Sequence, residues 1–300
     1  MNLPARLLGV GAIVCASTAT AAFAQRDVDP VAVVRQLAAR SEIRLALELA
    51  RVLEADAESD LIELTEIPAP PFEESARASR FAEMLKATGL PEVTIDEVGN
   101  VLARRTGSGA GETVAIVAHL DTVFPAGTDV TVRRRGDRLY APGIGDNTRG
   151  LVLLLNVATA LERAGVRTSA DILFVGSVGE EGLGDLRGIR HLLRRGGPRV
   201  DQMIAIDGGS DSRVVNRALG SRRYRVTVTG PGGHSWGDFG LANPVHALGR
   251  ATFYFDEAAA AVVNTGSPAS YNVGRVGGGT SVNAVPHDSW AEIDMRSVDP

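Results

Sequence analysis

The fold is decided by four acid-rich segments between His119 and Asp207: VAHLDTVFP (117–125), APGIGDNTRG (141–150), GSVGEEGLGD (176–185) and IAIDGGS (204–210). Three of these segments include or follow the end of an apolar run of strand length, and the segment at 141–150 opens a helix. Carboxyl ends of parallel strands meet at one edge of a sheet, so the polar side chains should gather there. A histidine and several carboxylates that converge at strand ends indicate a metal site.

The surrounding pattern predicts an α/β catalytic domain with a helix-covered, largely parallel sheet. Apolar runs at 112–119, 171–178 and 203–207 have the composition of strands buried on both faces. They alternate with helical patterns at 148–164 and 189–195, which is typical of a parallel sheet. Outside this core, the sequence predicts a helix at 30–65 that the proline-rich segment 67–74 breaks, and the glutamates at 73 and 74 open a second helix that runs to residue 85. A strand pair is predicted at 92–105 and a hairpin at 130–143.

A second, smaller domain is predicted after Asn216. Residues 221–230, 271–278 and 289–297 alternate as half-exposed strands, and 245–263 form a helix. This β-α-β-β order indicates a separate α+β domain, so we predict domains at 25–216 and 217–300. No closing helix or strand follows in the sequence, and we expect this domain to be incomplete.

Composition narrows the class of protein. The chain has 300 residues, which is more than one compact domain usually needs, and a net charge of −5 from 31 basic and 36 acidic residues. No basic block stands out, so nucleic acid is not an expected partner.

The first 24 residues are predicted to be a signal peptide. Arg6 precedes an apolar stretch at 7–23, and Ala22-Phe23-Ala24 fits a cleavage site. The alternative, an N-terminal membrane anchor, stays open. Cys15 is the single cysteine and lies in this segment, so the processed chain would have neither disulfides nor thiol chemistry. We expect an exported protein, periplasmic or secreted, without stable membrane insertion after cleavage.

His119 and Asp121 stand at i and i+2, a spacing that places both side chains on one face of a strand. A neutral His119 could bind a cation through one ring nitrogen while Asp121 holds the other and orients the ring. The alternative is a salt-bridged pair at a strand end, which HxD alone would favour.

Four further acidic residues could serve a metal site, and three of them also have a structural interpretation. Asp146 could bridge two metal ions, or it could be the N-cap of the following helix. If Glu181 binds a metal, Glu180 is free to act as general base, whereas a solvated acidic loop would explain both residues only if the segments lie far apart. Asp207, at another strand end, offers one more oxygen ligand.

Taken together, HLDTVFP, GxxDNxxG, GEEGLGD and the later GGHS and NAVP motifs resemble the M20 family of zinc exopeptidases. The resemblance covers about residues 62–297. Within the family, the HLDTVFP form is similar to the glutamate carboxypeptidase branch, and peptidase T-like enzymes are also close. It implies His119 and Asp207 on different zinc ions, Asp146 bridging them and Glu181 as a further ligand. Glu180 becomes the general base, and Asp121 orients His119.

The resemblance also gives the second domain a role as an inserted lid and dimerisation domain. His234 in GGHS matches a histidine that reaches the active site of a partner subunit, which implies a homodimer. Asn283 and Arg296 match positions that hold the substrate. Without the family, these three residues would be interpreted as a loop-ordering histidine, a turn asparagine and a strand-edge arginine. The family also needs one more histidine ligand beyond the lid, so we expect the 300 residues to be a C-terminally truncated, inactive fragment.

Two rival functions remain to be weighed. GHSWG satisfies GxSxG, so Ser235 could be the nucleophile of a serine hydrolase, although no helix follows it directly as such an elbow requires. A non-catalytic scaffold of the same fold would explain neither Glu180 nor Asp146. The favoured function is a metal-dependent exopeptidase that hydrolyses amide bonds of small peptides or N-acyl amino acids. Its expected cofactor is two Zn²⁺ holding a hydroxide, with another divalent cation as the alternative.

Overall fold

The computed structural model describes residues 29–109, 111–208, 212–264, 266 and 268–298. The predicted signal peptide at 1–24 and Cys15 lie outside the described residues. The chain divides into two compact units, Met1–Gly209 and Ser210–Pro300. This division comes a few residues before the predicted domain boundary after Asn216.

The first unit alternates helices and strands in the order the sequence suggests. Its helices are α1 (Pro30–Ala38), α2 (Ser41–Val52), α3 (Glu54–Thr65), α4 (Ser75–Ala87), α5 (Arg149–Arg163) and α6 (Arg187–Leu192). Its strands are β1 (Glu92–Ile95), β2 (Val101–Arg105), β3 (Thr113–His119), β4 (Arg133–Arg135), β5 (Arg138–Tyr140), β6 (Asp171–Ser177) and β7 (Gln202–Ala205).

The central sheet has the order β1-β2-β6-β3-β7. Strand β3 pairs in parallel with β6 and β7, whereas β2 pairs antiparallel with both β1 and β6. The α/β class and the largely parallel sheet are therefore confirmed, with β2 as the one strand of this sheet that runs opposite to the other four. The reason is that the β1–β2 hairpin adds to the free edge of β6, and a hairpin must contribute one strand of each direction.

Apolar side chains cover both faces of this sheet, which explains the continuous apolar runs. In β6, Phe174 faces one core, which α3, α4 and α5 complete with residues such as Leu64, Phe81 and Leu151. Its neighbour Val175 points to the other face and packs in a smaller cluster with Leu192 of α6. Successive strand residues point to opposite faces, so both must be apolar in a strand covered on two sides.

Two helix boundaries differ from the sequence prediction. The helical region at 30–65 consists of three helices, and Arg40, with an extended backbone, separates the first two. Helix α4 begins at Ser75, and the side chain of Glu74 makes no capping hydrogen bond there. The carboxylate of Glu74 is used elsewhere, as described below.

The parallel strands end side by side. His119, the last residue of β3, is in register with Ser177, the last residue of β6. On the other side of β3, Val117 is in register with Ala205 at the end of β7. The segments that follow these three strands therefore leave the sheet at a common edge.

The second unit is a three-stranded antiparallel sheet with one long helix. Its elements are β8 (Gly220–Thr229), β9 (Gly233–His234), α7 (Pro244–Val263), β10 (Ala269–Gly278), β11 (Ala284–Val285) and β12 (Asp288–Ser297). The sheet order is β10-β12-β8, and β9 pairs with β11 as a separate short ladder. The predicted β-α-β-β order is confirmed, with β9 and β11 as additions. Within the described part of the chain, no helix has the length and apolar character to cross a bilayer.

Candidate metal centre

His119 is fixed at the end of β3 in a buried position. Its Nδ1 lies 3.0 Å from the backbone carbonyl of Asp121, and its Nε2 lies 2.9 Å from a carboxylate oxygen of Asp146. Buried Arg77 donates a hydrogen bond of 2.9 Å to the carbonyl of the next residue, Leu120. Burial lowers the pKa of Arg77 to about 10, while the Asp121 carboxylate opposes that shift.

Asp121 contacts His119 as the sequence predicts, but it approaches the ring more closely through its backbone oxygen than through its carboxylate. The nearer Asp121 carboxylate oxygen lies 3.7 Å from Nδ1, whereas its backbone oxygen lies at 3.0 Å and takes the hydrogen bond. The carboxylate, fully buried, instead accepts the backbone N–H groups of Glu180 and Glu181 at 3.0 and 2.8 Å. Although burial opposes ionisation, His119 and these two N–H groups keep the pKa of Asp121 below its usual value. Asp121 thus organises both the histidine and the acidic pair.

Asp146 does not cap a helix. It lies in a π-helical turn, Ile144–Thr148, with the non-helical angles φ −125° and ψ 96°, and Thr148 is the residue at the N-cap of α5. The side chain of the neighbouring Asn147 donates a hydrogen bond to the carbonyl of Ile206, which fixes the turn against the end of β7. The Asp146 carboxylate is 59% exposed and contacts His119, so it is available to a cation.

Asp207 reaches the same place from β7. One of its carboxylate oxygens lies 3.5 Å from Nε2 of His119. Two ligands of one tetrahedral zinc ion, each about 2.1 Å from it, stand roughly 3.4 Å apart. The separation therefore favours His119 and Asp207 on a single ion, which differs from the expectation that they hold different ions.

The residues present fit a divalent cation. Ligand atoms of His119, Asp146 and Glu181 all lie within 4.8 Å of one another. Both ring nitrogens of His119 face oxygen acceptors, so without a cation the ring is held in its protonated form. A metal ion at Nε2 would replace that proton and leave Nδ1–H donating to the carbonyl of Asp121, the arrangement that fixes ligating histidines elsewhere.

The charges of the site point the same way. Burial opposes a charge on His119, but the nearby carboxylates of Asp121, Asp207 and Glu180 outweigh it and raise the pKa of His119 to about 11. The pKa of Glu181 is raised to about 7 by burial and by repulsion from Glu180 and Asp146. Burial likewise raises the pKa of Glu180, although His119 opposes this. Carboxylates held so close together need cations or protons to neutralise them.

The second unit holds the other predicted residues, two of them as neighbours. His234 on β9 is opposite Ala284 on β11, and Asn283 accepts the N–H of Ser235 at its backbone oxygen, 2.9 Å away. His234 Nδ1 accepts two backbone N–H groups of the following turn, at 3.2 and 3.3 Å. In the neutral ring, Nε2 therefore carries the proton and can donate.

Arg296 and Ser235 find less support in the second unit. Arg296 is exposed near the end of β12 and pairs with partly buried Asp294 at 2.8 Å. Ser235 is followed by a loop, and the next helix, α7, begins only at Pro244. This is not the strand–turn–helix geometry of a serine nucleophile.

Two residues that hold the loop after β6 (residues 178–185, called the acidic loop below) were not predicted from the sequence. Glu74 accepts the backbone N–H of Gly179, and Arg187 donates to the other oxygen of Glu74. The sequence interpretation gave the glutamates at 73 and 74 to the start of a helix. A signal existed only in the position of Glu74 after a proline-rich break, because its partners lie more than 100 residues away.

Comparison with known proteins agrees with this geometry. The model of peptidase family M20/M25/M40 matches residues 115–293. A succinyl-diaminopimelate desuccinylase of Delftia acidovorans is 27% identical over 261 residues, which are 78% of this chain and 66% of that protein.

Solved structures show the same fold at lower identity. A dipeptidase of Saccharomyces cerevisiae superposes with a TM-score of 0.60 at 17% identity, covering 85% of this chain and 72% of that one. A dinuclear metal-binding peptidase of Bacillus subtilis gives a TM-score of 0.52 at 15% identity, covering 83% and 65%. The chain thus spans about two thirds of the length of these relatives.

Proposed function

The chain belongs to peptidase family M20/M25/M40, and from that premise we propose that it is a dizinc exopeptidase or deacylase acting on small peptides or N-acyl amino acids. The observation that carries the proposal is the convergence of His119, Asp146 and Glu181 ligand atoms within 4.8 Å, with Glu180 adjacent. The relatives support both substrate classes, since one is a desuccinylase and another a dipeptidase.

His119, Asp146, Glu181 and Asp207 would hold two divalent ions, zinc being the proposed metal. Bound there, the ions supply Lewis acidity toward the substrate carbonyl and lower the pKa of the attacking water. The backbone carbonyl of Asp121 fixes the His119 ring, and the carboxylate of Asp121 fixes the backbone of the acidic loop.

Glu180 moves the proton in the proposed reaction. It takes a proton from the water that attacks the amide carbon and passes it to the departing amine nitrogen. Burial raises the pKa of Glu180, which brings this carboxylate closer to the range where it can both accept and release a proton. His234 of a neighbouring subunit donates its Nε2–H to the carbonyl oxygen, because its Nδ1 already accepts backbone N–H groups.

Export and dimerisation are part of the proposal. Residues 1–24 support export, and the β-α-β-β unit that carries His234 supports a homodimer formed through it. Cell fractionation should find the protein outside the cytoplasm with residues 1–24 removed, and light scattering should give twice the mass of the chain. Cytoplasmic protein with an intact N-terminus, or a monomer that retains full activity, would contradict these two points.

The decisive experiment measures hydrolysis of dipeptides, blocked peptides and N-acyl amino acids. The assays should use the protein as it is expressed from its gene. We expect chelator to abolish activity, Zn²⁺ to restore it and a covalent serine reagent to have no effect. Inactivation by the serine reagent with chelator resistance would instead support Ser235 as the nucleophile.

A further inference from the structure

Two buried carboxylates bind three consecutive backbone amides of the acidic loop. Glu74 accepts the N–H of Gly179 at 3.1 Å, and Asp121 accepts those of Glu180 and Glu181 at 3.0 and 2.8 Å. The backbone path from residue 179 to 181 is therefore fixed by Glu74 and Asp121, which bind the backbone amides and not the side chains that serve the metal centre.

Glu74 is itself anchored. Its side chain is 4% exposed, and its second oxygen accepts a hydrogen bond of 2.6 Å from Arg187 at the start of α6. The Arg187 guanidinium also lies over the ring of Phe72, 4.6 Å from its centroid. A buried carboxylate is tolerated where it is paired and hydrogen-bonded in this way, so the pair forms a fixed support between the segment before α4 and the start of α6.

The loop fits this support only with glycine at position 179. Gly179 has φ +65°, and a Cβ there would collide with the Arg187 side chain. Gly184 packs directly against Gly179 in turn, without room for a Cβ of its own. The close approach of Arg187 to the loop backbone therefore depends on the residues at three positions, 179, 184 and 187.

The hydrogen bonds to the loop amides act against an electrostatic repulsion within the loop. Glu180 and Glu181 repel each other, and the backbone at Glu181 is extended, with φ −85° and ψ 147°. Successive side chains of an extended backbone point in opposite directions, so a small rotation of this backbone would move both carboxylates at once. Binding the amides on both sides of Glu180 prevents that rotation.

We propose that Glu74 and Arg187 are positioning residues that, through the Gly179 amide, hold Glu181 in place for the metal and Glu180 in place for proton transfer. The inference rests on the proposed function, since it assigns these roles to Glu180 and Glu181. Neither Glu74 nor Arg187 needs to touch metal or substrate.

The chain offers a matched control for this role. Asp171 at the start of β6 accepts the N–H of Gly107 at 2.8 Å and pairs with Arg104 at 2.7 Å. It therefore makes the same two interactions as Glu74, on an unrelated loop. Asp171→Asn and Glu74→Gln each remove one negative charge and one ion pair from the same unit. A difference between their effects on metal affinity and kcat must therefore come from where the two carboxylates lie.

The experiment measures metal stoichiometry and affinity by calorimetry, using Zn²⁺ alone as the probe, together with kcat, KM and the thermal midpoint of the metal-free protein. For Glu74→Gln and Arg187→Met, we expect metal affinity to fall about 10- to 100-fold and kcat to fall with little change in KM. Arg187→Lys, which keeps the charge, should regain most of the affinity. Asp171→Asn should lower the thermal midpoint only.

The outcomes separate cleanly. If Glu74→Gln and Arg187→Met lower the midpoint but leave metal affinity and kcat at wild-type values, as Asp171→Asn does, the inference is wrong while the proposed function stands. If the unaltered protein binds no divalent metal, the proposed function itself fails. Arg187 is partly exposed, so its variants remain informative even if Glu74→Gln does not fold.

Discussion

A carboxylate oxygen of Asp146 lies 2.9 Å from Nε2 of His119, although 27 positions separate the two residues in the chain. The contact joins the end of β3 to the turn that precedes α5. Since Asp146 has no capping role, this relationship is the main observation that distinguishes a ligand from a structural aspartate.

Asp146→Asn should therefore lower metal occupancy without destabilising the protein. The substitution removes a charged ligand but keeps the capacity to cap a helix, since asparagine is as good an N-cap as aspartate, so a purely capping role would leave metal occupancy unchanged. Metal content by elemental analysis and unfolding by denaturant would check both statements. Asp185→Asn, an exposed aspartate of the acidic loop, is the control and should bind metal normally. Unchanged occupancy in Asp146→Asn would remove Asp146 from the ligand set.

Glu180→Gln should separate catalysis from metal binding. Because Glu180 is proposed to move a proton and not to bind the ion, we expect kcat to fall about 10²- to 10⁴-fold with metal content unchanged. Glu181→Gln should lose metal as well, since Glu181 is one of the converging ligands. Metal loss in Glu180→Gln equal to that in Glu181→Gln would instead place Glu180 among the ligands.

The metal-free protein should become less stable as pH rises. The pKa of Glu181 is raised from its usual 4.5 to about 7, and that of His119 from 6.5 to about 11. Across this range the folded state binds more protons than the unfolded chain, so the free energy of unfolding falls as pH increases.

Denaturant midpoints from about pH 5.5 to about pH 8.5 would test this dependence. Zn²⁺ should flatten it, because the ion replaces the protons, and His119→Asn should weaken it in the metal-free protein. A metal-free midpoint that rises with pH over this range would contradict the charge balance described for the site.

Much of the site could be predicted from the sequence because strand ends bring residues together in a regular way. Apolar runs identified β3, β6 and β7, and their parallel pairing places His119, Glu181 and Asp207 at one edge. Asp146 joins them from the turn that precedes α5.

The other features of the site and the sheet depend on the path of the backbone, which the spacing of residues in the sequence does not specify. HxD correctly indicated that His119 and Asp121 are close, but whether the carboxylate or the carbonyl of Asp121 meets the ring depends on how the chain turns after Leu120. Glu74 could not be connected with Gly179 because 105 positions separate them and nothing local pairs the two. The direction of β2 against β6 was likewise undetermined by the alternation of apolar residues.

The proposed reach of His234 into a partner subunit makes the sharpest prediction. His234→Ala and Glu180→Ala should each be inactive as homodimers. In a mixed dimer, however, the site on the His234→Ala chain keeps its own Glu180 and receives His234 from the other chain. Coexpression should then restore about a quarter of wild-type activity, because about half the dimers are mixed and each has one intact site.

Steady-state hydrolysis by the coexpressed and by the separately purified variants would measure the restoration. Metal content should be normal in the His234→Ala chain, because His234 lies in the second unit and contributes no proposed ligand. The matched control is His246→Ala, which changes a histidine on the first turn of α7 in place of His234. This variant should be active as a homodimer, without coexpression of another chain. If coexpression restores nothing while the mixed dimer forms, His234 serves its own chain or none. In that case the β9–β11 ladder that holds it next to Asn283 would have a structural role, as the sequence reading without the family suggested.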